Sequence, residues 1–322
     1  MSLAVQRGAQ TPGASAAGPR RRPVARLRRR REAVTGYAFL LPWFVGLVGL
    51  VVGPMAMSAY LSFTEYDLFT DARWVGLENY RQILTADPDF RQSLTVTVVY
   101  VVVSVPLRLA LALGLALLMN RALRGISVYR AVMYLPSLLG GSVAVALLWR
   151  QLFGRDGAVN QLLALVGVEG RNWIATPDTA LSTIVVLAVW QFGSPMIIFL
   201  AGLQNLPPEL HEAATVDGAG RWRRFLWITL PLLTPIIFFN LIMQTITAFQ
   251  AFTPSFIISN GTGGPVGSTL FYTLYLYQRA FTEFDMGYAS ALAWILVAVI
   301  ATVTAVNFIA SRRWVFYSDE GR

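Results

Sequence analysis

The 322-residue chain contains no Cys, no Lys and a single His, His211. Without Cys there is no disulfide framework, no thiolate metal site, no iron–sulfur ligation and no cysteine nucleophile. Without Lys there is no P-loop of the G-x-x-x-x-G-K-[ST] type, no Schiff-base lysine and no kinase lysine. One His excludes a two-His zinc site. Charge is also scarce, since 13% of residues are charged where a soluble globular domain has about 25%. What is present is apolar: 55% of the chain is hydrophobic. The bilayer is the solvent this composition suits.

A membrane-spanning helix needs about 20 consecutive, mostly apolar residues. Six segments qualify, at 38–63, 93–119, 131–153, 179–203, 231–258 and 287–310. The first and the last carry no charge, and the fifth is interrupted by polar residues and Pro254. The first apolar run exceeds that of a cleavable signal peptide and is read as a retained anchor. The expected fold class is therefore an all-α membrane protein of six transmembrane helices.

All 26 basic residues are Arg, and they are sided. The N-terminus, the 120–130 loop, the 204–230 loop and the C-terminus hold 18 Arg and 6 acidic residues. The alternate loops hold 7 and 11, counting Arg150 at the end of the third span with the loop that follows it, and Arg108 lies inside the second span. The excess of +12 on one side against −4 on the other predicts that both termini are cytoplasmic. The net charge of +9 thus reports orientation. Residues 1–36 read as a disordered basic tail that touches anionic lipid, in preference to a nucleic-acid arm. Residues 37–92 hold the first helix and a folded outer connector, 93–310 the transport domain proper, and 311–322 a short tail.

The loop at 204–230 is the most informative stretch. Pro207 and Pro208 suit a helix start, Glu209 and Glu212 favour its positive end, and Gly218 can take the left-handed conformation that ends it. A second helix would follow, with Trp222, Phe225, Leu226 and Thr229 at i, i+3, i+4 and i+7 forming an aromatic, apolar stripe. Such a stripe calls for a cover, either a partner protein or the headgroup layer.

The run Glu212-Ala213-Ala214, Asp217-Gly218-Ala219, Phe225, Ile228, Leu230-Pro231 and Pro235 resembles the EAA loop of ABC importer permeases, E-A-A-x-x-x-G followed by I-x-L-P. The resemblance is nearest to the carbohydrate branch, the maltose- and glycerol-phosphate-type permeases. Gly76-Leu77-Glu78-Asn79-Tyr80, Gly263-Gly264-Pro265 with Thr269, and Gly287-Tyr288-Ala289-Ser290-Ala291 are similar to further motifs of that branch. The resemblance covers about residues 37–315 and implies the type I importer transmembrane fold. It implies that Glu212, Ala213, Ala214, Asp217, Gly218 and Phe225 dock into a cleft of a separate ATP-hydrolysing subunit. The expected partners are a cytoplasmic ATPase dimer, a second homologous permease chain, an extracytoplasmic solute-binding protein and the lipid bilayer, with no nucleic acid. ATP and Mg would be held by the ATPase partner, and this chain would bind no cofactor or metal itself. The expected location is the bacterial inner membrane, and the expected mechanism is alternating access.

Within the fifth span Asn240, Gln244, Thr247 and Gln250 recur at helical spacing on one face. They form either a hydrogen-bonding seam between helices or a solute pathway, since uncharged amides and hydroxyls suit sugar hydroxyls. Neighbouring Phe238, Phe239, Phe249 and Phe252 could stack on a pyranose. Gln191, Ser194 and Pro195 read as packing and a kink. Arg108 stays open between a ligand, a polar group on a neighbouring helix and snorkelling. His211 reads as part of a solvated docking helix. No enzyme signature is present, and none of the six segments carries a carboxylate. That speaks against a proton-coupled secondary carrier or channel, the alternative to ATP-driven import.

Overall fold

A computed structural model describes residues 24–120 and 125–316, with side chains from residue 35 onward. Residues 1–23, which hold most of the basic tail, lie outside the described residues. So do 121–124 and 317–322. The chain divides into two units between Met57 and Ser58, inside the first span.

Helix α1 runs Val24–Gly46 and continues through a π-helical segment Leu47–Val52 into α2, Gly53–Leu61. The helix already exists at Val24, so 24–36 is not the disordered chain expected from composition. Arg is a good helix former, and Val24 to Thr35 contains neither Pro nor Gly. Thr35–Leu61 is long and apolar enough to cross a bilayer.

The second unit begins with the connector. It folds into an antiparallel ribbon, β1 Thr64–Glu65 paired with β2 Arg73–Trp74, and a short helix α3, Glu78–Ala86. This ribbon is the one departure from all-α architecture among the described residues. Helix α4, Pro88–Met119, follows. It starts five residues before the expected boundary because Asp87 caps it, its carboxylate accepting the Phe90 N–H at 2.9 Å, with Pro88 in the first turn.

Helices α5, Ile126–Leu139, and α6, Val143–Leu152, meet at 97°. The expected third span, 131–153, is therefore a bent pair and not one straight helix. Gly140 and Gly141 interrupt it, and Ser142 caps α6 by accepting the Val145 N–H. Next come α7, Ala158–Leu165, then α8, Pro177–Trp190, and α9, Gly193–Gln204. Together α8 and α9 form one apolar span, Pro177–Gln204, broken at Gln191–Phe192. The loop that follows supplies α10, Pro208–Val216, and α11, Arg221–Arg224. A π-helical segment Phe225–Thr229 leads into α12, Leu230–Phe249, and after a break α13, Thr253–Ile258. Finally α14, Tyr272–Tyr277, precedes α15, Met286–Ser311. Pro88–Met119, Arg221–Ile258 and Met286–Ser311 complete the set of segments long and apolar enough to span.

Helix α4 is the hub, packing on α8, α9, α12 and α14. Its buried Ser93, Thr97, Ser104, Ala112 and Ala116 return to one face at spacings of four, seven and eight. Small side chains along such a seam let neighbouring helices approach closely. Hydroxyls on the same face make specific bonds: Thr97 Oγ1 accepts the Tyr272 N–H at 2.8 Å, and the Tyr272 hydroxyl donates to the Leu292 carbonyl. One residue thereby ties α4, α14 and α15 together.

The connector, the 259–271 loop and the start of α15 meet at one end of this unit, and the three motifs there interlock. Asn79 donates to the carbonyls of Ser62 and Thr64, and the Tyr80 hydroxyl donates to Ser62. Gly287 donates its N–H to the Tyr66 carbonyl, and a Cβ there would lie 2.1 Å from the Thr64 oxygen. Thr269 donates to Gly264, and Ser255 to Thr269. Asp87 accepts both the Tyr275 and Tyr288 hydroxyls, and Arg279 donates to Tyr275 at 2.8 Å while pairing with Glu283. Burial alone would raise the Asp87 pKa; the two hydroxyls and the Phe90 N–H outweigh it and hold the carboxyl below its ordinary value. The described part of the C-terminal tail is docked: Phe316 donates its N–H to Thr234, and Trp314 meets Phe238 edge-on.

Gly287→Ala is expected to cost about 1–3 kcal/mol, because backbone on both sides of the contact must shift. Gly114, whose added Cβ meets nothing within 4 Å, is the control position. Thermal unfolding of the two Ala variants in detergent measures the difference, and equal melting would refute the close-approach argument.

Candidate functional site

Between α4, α8, α12 and the α5–α6 bend lies a cavity of about 300 Å³. Helix α12 contributes Gln244 and Thr247, and Gln250 follows at its C-terminal cap. Asn240 is not among the lining residues. It is fully buried one turn further along, with its amide donating to the Ile236 carbonyl at 3.2 Å. The expected stripe is thus divided into a packed Asn240 and three residues that face open space. Of the neighbouring aromatics only Phe252 lines the cavity. Phe238 packs on Phe308, Phe249 is buried and Phe239 is exposed, because helical phase turns them off the Gln244 face.

The opposite wall carries the unexpected part. Tyr100, Ser104 and Arg108 project from α4 at successive spacings of four, and Gln191 comes from the α8–α9 break. The pattern i, i+4, i+8 was present in the sequence and is the signal that would have found them. Arg108 donates from Nε at 2.9 Å and from Nη2 at 2.5 Å to the Gln191 carbonyl. Ser137 of α5 donates to the same oxygen at 2.9 Å and accepts the Ser194 N–H. The break frees this carbonyl from its helical partner, so three donors replace one. Of the alternatives open for Arg108, the polar group on a neighbouring helix is occupied.

The kink expected at Gln191, Ser194 and Pro195 is present, and Gln191 additionally forms cavity wall. Its amide donates to the Gly140 carbonyl at 2.8 Å. A Cβ on Gly140 would sit 2.3 Å from the Gln191 side-chain carbons, so a larger residue there would displace the Gln191 side chain from this wall. Pro254 removes no bond from a helix interior. It occupies the first turn of α13, after α12 has ended. The Ala251 carbonyl exposed at that break accepts the Thr273 hydroxyl at 2.5 Å.

The second candidate region is the 204–230 loop. Its helix, turn and helix form as the residues imply. Gly218 has φ +75°, its N–H donates to Thr215, and the Ala219 N–H donates to Ala214, the paired bonds of a Schellman cap. Arg224 donates to the Thr215 hydroxyl at 2.6 Å, bracing the second helix on the first. Glu212, Ala213, Asp217 and Gly218 are exposed, Ala214 and Phe225 half-buried. Glu212 has no ion-pair partner among the described residues. The single stripe expected on the second helix is not formed. Trp222 is 71% exposed and meets the Phe225 ring at a tilt, whereas Thr229 is buried. The intervening π-helical turn is wider than an α-turn, advances each residue by a smaller angle and takes Thr229 off that face.

A protein-family profile described as "Binding-protein-dependent transport system inner membrane component" matches residues 83–315. The chain is 52% identical over 292 residues to a probable ABC transporter permease protein, YesP, of Bacillus subtilis, covering 90% of this chain and 94% of that one. It is 33% identical over 285 residues to the trehalose/maltose transport system permease protein MalF of Thermococcus litoralis, covering 88% and 95%. Among solved structures, a bacterial alginate ABC transporter, crystallised with an alginate pentasaccharide-bound periplasmic protein, superposes with TM-score 0.77 at 20% identity. The match covers 89% of this chain and 96% of that one.

Because nothing lies within 4 Å of a Cβ on Gly218, substitution there isolates backbone strain. Gly218→Val is expected to destabilise the loop by about 1–2 kcal/mol, the cost of a branched residue in the left-handed region. Gly218→Asn should cost less. Amide exchange over residues 208–224 reads the loss, with the melting of the bundle unchanged; uniform loosening would point to a wider packing role.

Proposed function

Since the chain belongs to the family of binding-protein-dependent transport system inner membrane components, a permease subunit of ATP-driven ABC importers, we propose that it carries a sugar or related polyol across the inner membrane by alternating access. The observation that carries the solute class is the cavity, where Gln244, Thr247 and Gln250 face Tyr100, Ser104 and Gln191. Amides and hydroxyls in an otherwise apolar span match a solute that is itself a cluster of hydroxyls. The relative named as a trehalose/maltose permease supports the same class. An extracytoplasmic binding protein delivers the solute, and a homologous permease chain completes the pathway. Counting the bent α5–α6 pair as one crossing makes the spans even, so that both termini and the 204–230 loop lie in the cytoplasm, in keeping with the Arg asymmetry.

The loop is then the coupling element. This chain has no Lys and therefore no Walker A motif, so ATP and Mg are bound by a partner ATPase dimer. Exposed Glu212, with Ala213 and Asp217 beside it, offers an acidic, small-residue helix to a cleft on that partner, and Trp222 and Phe225 give the second helix an aromatic edge. The Schellman cap at Gly218 and the Arg224–Thr215 bond make the helix pair a stiff lever. It continues directly through the π-helical segment into α12, which carries the cavity wall.

In proteoliposomes with the purified partners, Glu212→Lys is expected to lower ATP-dependent uptake about tenfold or more, as reversal of a docked charge does. Uptake that persists without ATP, or is unaffected by the substitution, would refute the coupling role. Gln244→Leu should raise the apparent KM about fivefold through loss of one hydrogen bond, with complex assembly intact. Unchanged kinetics would return these residues to a helix–helix seam.

A further inference from the structure

The cavity contains a charge that the chain does not compensate. Its wall includes the Arg108 guanidinium and no carboxylate, and no carboxylate lies in any of the six apolar segments read from the sequence. Arg108 has five N–H donors in a planar fork. Nε and Nη2 are used on the Gln191 carbonyl, and Nη1 has no protein partner among the described residues. The Gln191 oxygen accepts hydrogen bonds but carries no formal charge. An ionised side chain within a membrane protein normally pairs with another charge or with backbone carbonyls, and faces the bundle interior or a solute path. Here the path is present and the counter-charge is not. Gln244, across the cavity, has a buried side-chain oxygen with no partner, so both walls hold unfilled hydrogen-bonding capacity.

From this arrangement we infer that the cavity selects an anionic saccharide, one bearing a carboxylate such as a uronic acid unit. Arg108 receives the carboxylate on its Nη1 edge, while Gln244, Thr247 and Gln250 meet the hydroxyls. The geometry suits this division. The Gln191 carbonyl engages one edge of the guanidinium, and Arg108 lines the same cavity as Gln244, Thr247 and Gln250. A planar, pre-oriented fork recognises a carboxylate with two parallel hydrogen bonds, which a neutral sugar cannot reciprocate. The inference rests on the cavity being the solute pathway and adds the charge of the solute to it.

The test uses the complete transporter in proteoliposomes. Calorimetry of its binding protein against paired oligogalacturonides and their carboxyl-reduced, neutral counterparts identifies which are accepted, and uptake of an accepted pair is then measured. With Arg108→Gln, the apparent KM for the uronate-bearing member is expected to rise about tenfold or more, the usual consequence of losing a hydrogen bond to a charged group. The KM for the neutral member should stay within about twofold, well below that effect. Arg108→Lys, which keeps the charge, should recover part of the discrimination. Ser137→Ala removes another donor to the same carbonyl without touching charge and should leave the ratio of the two KM values unchanged.

If Ser137→Ala shifts the ratio as much as Arg108→Gln, the arginine serves only to hold the helix break, and the inference fails. Equal effects of Arg108→Gln on both members, or a transporter accepting neutral saccharides alone, also overturn it. In those cases a changed KM in Gln244→Leu would leave the pathway reading standing, and an unchanged one would remove both.

Discussion

A carbonyl freed in the middle of an apolar span must find a donor, because no bulk water is there to supply one. The capture of the Gln191 carbonyl by Arg108 and Ser137 is the interaction on which the centre of this protein depends. It permits α8 and α9 to be separate helices, which in turn opens a space beside α4. It also accounts for Arg108, since a guanidinium at mid-span costs about 3 kcal/mol on insertion scales and a hydrogen bond to a charged group returns about 1.5–3 kcal/mol. The second break follows the same rule, with Thr273 holding Ala251. Both discontinuities border the cavity. The helix bundle is hollow where its backbone is interrupted, and the interruptions persist because each is satisfied.

The two ends of the second unit divide the remaining work. At one end Asn79, Gly287 and Asp87 knit the connector to α4, α14 and α15 through backbone carbonyls and tyrosine hydroxyls. Those motifs are constructional. They allow close approach and satisfy buried polar groups. At the other end the residues of the EAA run are mostly exposed, held in a braced helix pair and unpaired among the described residues. A surface kept rigid yet unsatisfied is suited to a partner. Between them α12 runs unbroken from Leu230 to Phe249 and carries part of the cavity wall.

Residue patterns anticipated much of this and missed specific things for specific reasons. The left-handed Gly218, the helix start at Pro208 and the polar face of α12 were legible, since each depends on a local conformational preference or on helical phase. The stripe on the second loop helix failed because a π-helical turn changes that phase. The straight third span failed because hydropathy averages across Gly140 and Gly141 without sensing a 97° turn. Asn240 and Gln244 look equivalent in sequence, yet one is packed and the other faces open space, according to what lies opposite.

By itself the sequence determined the membrane class, the sided Arg distribution, the lack of a Walker A motif and the helix–turn–helix of the 204–230 loop. These follow from composition and short-range spacing, to which a bilayer and a helix respond directly. Tertiary structure alone decided which polar residues share a cavity and what Arg108 touches. Residues 108, 137 and 191 come together only when α4, α5 and the α8–α9 break pack. Contacts between chain segments so far apart are set by helix packing, which no local period encodes.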